Sequence, residues 1–113
     1  MTVAEHRSAT LASIPLGEGR MIKVGSHMVA VFHLRNGAVR ATQARCPHRG
    51  GPLADGLLGD DHVVCPLHNR SYCLSSGEAG PGEQPIEVFP ARVDGDGTII
   101  VTLPVEPELE RAA

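Results

Sequence analysis

Two short segments of this chain, Cys46-Pro47-His48 and Cys65-Pro66-Leu67-His68, each carry one thiol and one imidazole, and sixteen residues separate His48 from Cys65. Soft donors at fixed spacing on two loops point to a metal centre. A chain built around one must bring those loops face to face, so Cys46, His48, Cys65 and His68 are the candidate ligands. Structural zinc sites accept two cysteines and two histidines, but usually pair like with like at Cys-x2-4-Cys and His-x3-5-His spacing. Here each loop is mixed. A 2Fe-2S cluster with two thiolates on one iron and two imidazoles on the other can draw that set from two similar loops. Both metals remain open at this point, with the cluster the better match.

The pattern Cys-x-His, sixteen residues, Cys-x-x-His closely resembles the Rieske signature. The stretch Cys46-Pro47-His48-Arg49-Gly50-Gly51-Pro52-Leu53-Ala54-Asp55-Gly56 is similar to the first cluster loop of soluble Rieske proteins, and Cys65 to Ala79 to the second, ending in Ser76-Gly77-Glu78. The likeness spans about residues 14 to 103. Within the family the chain resembles the cluster-bearing small subunits of NAD(P)H-dependent nitrite reductases, which the first loop favours, and the ferredoxins of aromatic-ring dioxygenases. The resemblance implies a Rieske 2Fe-2S cluster. It also implies an all-β fold in which an antiparallel base carries a small inserted cluster-binding subdomain.

Two ferric ions, two sulfides and two thiolates sum to no net charge when the imidazoles are neutral, whereas four thiolates would leave the core doubly negative. Less repulsion then opposes reduction, which places such clusters in a window of about −150 to +300 mV. Respiratory Rieske proteins carry an extra cysteine in each loop and a serine that bonds a cluster sulfide. By resemblance those places are Gly51, Leu67 and Arg70 here, while their tyrosine survives as Tyr72. The missing disulfide and serine imply the low end of the window. Pro47 and Pro66 fix φ beside the cysteines, and Gly50, Gly51 and Gly56 permit turns around them. Gly80 to Pro85 resembles the proline loop of the family, an ordinary surface turn being the alternative.

Cys73 reads as a small buried residue of a strand. His6, His27, His33 and His62 show no ligand spacing and read as structural or solvent-facing. Arg45, Arg49 and Arg70 flank the ligand loops, where they form a solvated rim or meet an acidic partner.

Val- and Ile-rich segments bounded by glycine, proline, asparagine and aspartate recur without a helical period, which predicts a mostly β chain. The expected strands are Arg20 to Val24, His27 to Leu34, Val39 to Gln43, His62 to Cys65, Ser71 to Leu74, Ile86 to Val93 and Thr98 to Leu103. Asn36-Gly37 and Asp94-Gly95-Asp96-Gly97 mark hairpin turns. At 113 residues a single domain is expected. Its cluster subdomain spans about residues 44 to 77, its base about 10 to 43 and 78 to 103, and a polar tail follows over 104 to 113.

A net charge of −3 and the absence of tryptophan argue against nucleic acid as a partner. The first twelve residues lack the apolar run of a signal peptide, and no segment reaches the length of a membrane span. Three cysteines, two of them committed to a cluster, suit a reducing compartment, so a soluble cytoplasmic protein is expected. The chain has no dinucleotide fingerprint and no second iron site, which leaves it without substrate chemistry of its own. The expected role is a one-electron carrier between an NAD(P)H-dependent reductase and a terminal oxidoreductase. By resemblance it is the small subunit of an assimilatory nitrite reductase working with the large subunit, or the ferredoxin of a multicomponent ring-hydroxylating oxygenase. A zinc-stabilised interaction module is the reading from another class.

Overall fold

The computed structural model describes residues 3–25, 27–47, 50–65, 70–80 and 84–104. Among these, ten strands run in the order β1 (Val3–Thr10), β2 (Glu18–Val24), β3 (His27–His33), β4 (Val39–Gln43), β5 (Leu57–Leu58), β6 (His62–Val64), β7 (Ser71–Cys73), β8 (Val88–Phe89), β9 (Ala91–Val93) and β10 (Thr98–Pro104). Short 3-10 turns occupy Leu11–Ser13 and Leu53–Asp55. The strands form three antiparallel sheets, ordered β1-β10-β9, β2-β3-β4-β8 and β5-β6-β7. The architecture is all-β, as expected.

β3 organises the interior. Side chains alternate across a strand, and the unbroken run Val29-Ala30-Val31-Phe32 is buried on both faces. Val29 and Val31 join Val39 and Ala41 of β4 and Ile99, Val101 and Leu103 of β10 in one core. Ala30 and Phe32 turn the other way, into a second core with Cys46, Leu53, Val63, Cys65, Tyr72 and Leu74. Complete burial of a side chain such as Phe32 contributes roughly 1.5–3 kcal/mol over leaving it exposed. The same strand therefore supports the base and the segment that holds the candidate ligands Cys46 and Cys65.

The turn after β3 closes where Asn36-Gly37 marks it. Leu34 N–H donates to Ala38 C=O at 2.8 Å, Asn36 Oδ1 accepts from Ala38 N–H, and Gly37 takes the left-handed φ of 93° that a three-residue hairpin loop requires.

Besides the short strand β5, which was not expected, two features depart from expectation. The segment Ile86 to Val93 is two strands, because Pro90 lacks the N–H a ladder needs. β8 pairs with β4, and beyond Pro90 β9 pairs with β10, so the chain changes sheets there. The base also begins earlier than residue 10: β1 lies along β10 from Val3↔Pro104 to Thr10↔Thr98. No residue of β1 is fully buried, which is why no apolar stripe announces it. It is tied across the sheet by Arg92 to Glu5 at 3.0 Å and Arg7 to Asp96 at 2.8 Å. Of the tail, Pro104 ends β10 and residues 105–113 lie outside the described residues.

The segment between β4 and β8 carries the β5-β6-β7 sheet, while β4 and β8 pair with each other. Arg40 of β4 reaches into this segment, its Nε 3.1 Å from the Asp61 carboxylate in a half-buried ion pair.

Candidate metal centre

Directly after β4 the first loop folds back on itself. Ala44 C=O accepts from Leu53 N–H, Cys46 N–H donates to Gly51 C=O at 2.8 Å, and Cys46 C=O accepts from Gly50 N–H at 2.8 Å. The Arg45 guanidinium closes the same loop by donating to Gly50 C=O at 3.0 Å. Both of these Cys46 backbone bonds are made within its own loop, and its side chain is buried in the core.

The second loop extends the β6-β7 hairpin. The pairs His62↔Cys73, Val63↔Tyr72 and Val64↔Ser71 lead to Cys65, whose N–H donates to Arg70 C=O at 2.7 Å. Between these two residues the sequence places 66–69. His48 and His68 both lie outside the described residues, as do Arg49 and residues 81–83 of the Gly80 to Pro85 segment.

The two cysteines meet in one core. Cys46 is 2% exposed and Cys65 0%, and both belong to the cluster of buried residues around Tyr72. The Tyr72 hydroxyl stands 3.0 Å from Cys46 Sγ. Burial pushes the Tyr72 pKa well above the ordinary phenol value, and the hydrogen bond and negative charge of Cys46, with that of Cys65, raise it further against a small opposing pull from Arg70. The phenol therefore keeps its proton. It is a donor available to a thiolate.

The sequence profile of the Rieske [2Fe-2S] domain matches residues 5–90. The chain belongs to the Rieske family. The 3-phenylpropionate/cinnamic acid dioxygenase ferredoxin subunit of Shigella flexneri serotype 5b (strain 8401) is 37% identical over 97 residues, covering 83% of this chain and 89% of that protein. Among solved structures, a Mycobacterium tuberculosis protein described as the small subunit of an NADH-dependent nitrite reductase superposes with a TM-score of 0.85 at 23% identity, covering 94% of this chain and 100% of that one. That likeness speaks to the fold. The Sphingomonas yanoikuyae B1 ferredoxin superposes with a TM-score of 0.78 at 27% identity, covering 89% of this chain and 100% of the ferredoxin.

The cofactor of this Rieske protein is a 2Fe-2S cluster, and the described half of the candidate donor set fits it. Two thiols drawn from separate loops into one apolar, water-poor core, beside a neutral hydroxyl donor, suit an iron held by two thiolates. Among the described residues, which include two of the four candidate donors, no group of three or more His, Cys, Asp or Glu is placed to hold a metal ion.

The remaining residues singled out in the sequence take defined places. Arg45 braces the first loop through Gly50. Arg70 is half-buried at the mouth of the second loop. His33 Nδ1 lies 2.7 Å from the Ile14 carbonyl oxygen, a structural contact, and His62 is exposed. Cys73 is not the buried core residue its strand position suggests. It is half-exposed, and its Sγ lies 3.2 Å from Ser75 Oγ. The hydroxyls and backbone N–H groups of Ser75 and Ser76 lower its pKa to about 7. The signal for this was the Ser75-Ser76 pair, which follows closely enough to turn back on the sulfur.

Proposed function

We propose that Cys46, His48, Cys65 and His68 hold the cluster and that the protein carries single electrons from an NAD(P)H-dependent reductase to a terminal oxidoreductase. The observation that carries the ligand assignment is the convergence of Cys46 and Cys65, from two separate loops, on one core beside Tyr72. A Rieske electron-transfer domain with oxidoreductase partners agrees with the family and its ferredoxin relatives.

For the terminal partner, the 37% identity to a dioxygenase ferredoxin subunit over most of both chains supports an oxygenase of the ring-hydroxylating kind. The first loop, with Arg49-Gly50-Gly51-Pro52-Leu53 after His48, supports the second reading, the small subunit of a nitrite reductase. Reduced protein mixed in a stopped-flow instrument with each class of terminal enzyme separates them. Fast reoxidation by a non-haem iron oxygenase together with substrate hydroxylation supports the first. Association with a sirohaem protein and electron delivery to nitrite would replace it with the second. In either case a Cys46→Ser protein that keeps a normal Rieske spectrum would overturn the ligand assignment.

A further inference from the structure

Gln43 is the last residue of β4 and immediately precedes the first ligand loop. Its side-chain amide is bonded at both ends to backbone. Nε2 donates to Arg45 C=O at 2.7 Å, and Oε1 accepts from Glu87 N–H at 2.7 Å. A third bond runs from Gln43 N–H to Glu87 C=O at 2.9 Å. The two partners fix which end of the amide is which, since a carbonyl demands the NH2 group and an N–H demands the oxygen.

The Arg45 carbonyl belongs to the peptide unit whose N–H is that of Cys46. A peptide is planar, so holding its two ends holds the plane. Gln43 holds the oxygen, and Gly51 C=O holds the N–H at 2.8 Å. With that plane fixed, the direction in which Cys46 leaves the chain is set from outside the loop as well as inside it. The anchor is itself tied down, because Ile86 N–H, one residue before Glu87, donates to Gly77 C=O at 2.9 Å. A line of hydrogen bonds therefore runs from Gly77, past the second ligand hairpin, through Glu87 and Gln43 to the peptide of Cys46.

We propose that Gln43 is a positioning residue for the cluster, orienting the Cys46 thiolate by clamping the Arg45-Cys46 peptide to the segment at Glu87. The inference rests on Cys46 being a ligand. Gln43→Met removes both arms without adding charge. Gln43→Glu keeps the acceptor for Glu87 N–H and, when ionised, loses the donor to Arg45.

The test compares both variants with the wild-type holoprotein by electron paramagnetic resonance of the reduced cluster, by the rate of cluster loss to an iron chelator, and by thermal melting. Both variants are expected to shift the g values and to lose the cluster about fivefold faster, the factor that accompanies loss of one ordinary hydrogen bond. Glu87→Ala leaves both backbone bonds in place and is expected to match the wild type. Unchanged g values and loss rates in both Gln43 variants, even with a lowered melting temperature, would reduce Gln43 to a brace of the base. A wild-type result for Gln43→Glu beside a shifted Gln43→Met would also overturn the proposal, by placing the effect in the Glu87 arm. An equal shift in Glu87→Ala would do the same. Retention of the normal cluster in Cys46→Ser is the separate result that would remove the ligand assignment itself.

Discussion

The Tyr72 hydroxyl and Cys46 Sγ stand 3.0 Å apart where Tyr72 is 1% exposed and Cys46 2%. A neutral donor on a ligand sulfur withdraws electron density from the thiolate and favours the reduced cluster. Tyr72→Phe keeps the ring in the core and removes only the hydroxyl. It should lower the midpoint potential in a redox titration and cost roughly 1 kcal/mol of stability, the usual net worth of a buried hydrogen bond. An unchanged potential would mean that the hydroxyl does not act on the bound cluster.

Cys73 offers a half-exposed thiol outside the proposed ligand set. With its pKa lowered to about 7 by Ser75 and Ser76, its alkylation by iodoacetamide should rise to half its maximum near neutral pH, as followed by mass spectrometry of the holoprotein. Ser75→Ala should move the inflection towards the ordinary thiol value. Because the folded pKa lies below the ordinary thiol value of 9.0, the stabilisation from this ionisation is fully present above about pH 9 and is lost as pH falls through about 7. Cys73→Ser should keep the cluster. An inflection close to 9 in the wild type would contradict the contact with Ser75.

Gly77 is held at φ 83° with the Ile86 carbonyl oxygen against it, so that any Cβ there would press into backbone. Gly77→Ala combines a left-handed conformation with a clash that no side chain can relieve. It should cost at least about 2 kcal/mol and show as a lowered melting temperature. Gly37→Ala, where nothing lies within 4 Å, should cost only the backbone strain of about 1–2 kcal/mol.

The exposed ion pairs along β1 predict an acid sensitivity confined to low pH. The Arg7 guanidinium, then the Thr98 hydroxyl and N–H, hold the Asp96 carboxyl down at about 2 from 3.8. The associated stability is present above about pH 4 and is lost as pH falls through about 2. Asp96→Asn should flatten that part of a melting-temperature profile, and high salt should weaken the effect in the wild type. A wild-type profile that is already flat there would show that the pair does not hold β1.

The family and its 2Fe-2S cofactor were legible because chemistry writes them into spacing: cysteine and histidine do not recur as Cys46-x-His48 and Cys65-x-x-His68 without cause. β3 and the turn at Asn36-Gly37 were legible for a local reason, since a doubly buried strand must be apolar throughout and its hairpin needs a left-handed residue. β1 was not legible. Its pairing with β10 is supplied by backbone and by Arg7 and Glu5, and such contacts leave no periodic apolar trace. The change of sheet at Pro90 had a signal, a proline inside an otherwise continuous strand pattern. The clamp at Gln43 had none, because its partners are backbone atoms of Arg45 and Glu87, and only folding brings the second of these within reach.

Pulsed electron paramagnetic resonance of the reduced protein, grown with 15N-labelled histidine, tests the cluster and its ligands most directly. Coordination by Cys46, His48, Cys65 and His68 requires a signal with the low average g of a histidine-ligated cluster and strong couplings to two imidazole nitrogens, lost when His48 or His68 is replaced. A signal without histidine coupling would mean a cluster held by other residues. A colourless protein that holds zinc by metal analysis and gives no signal after reduction would mean a zinc module, and either result would contradict a Rieske electron carrier.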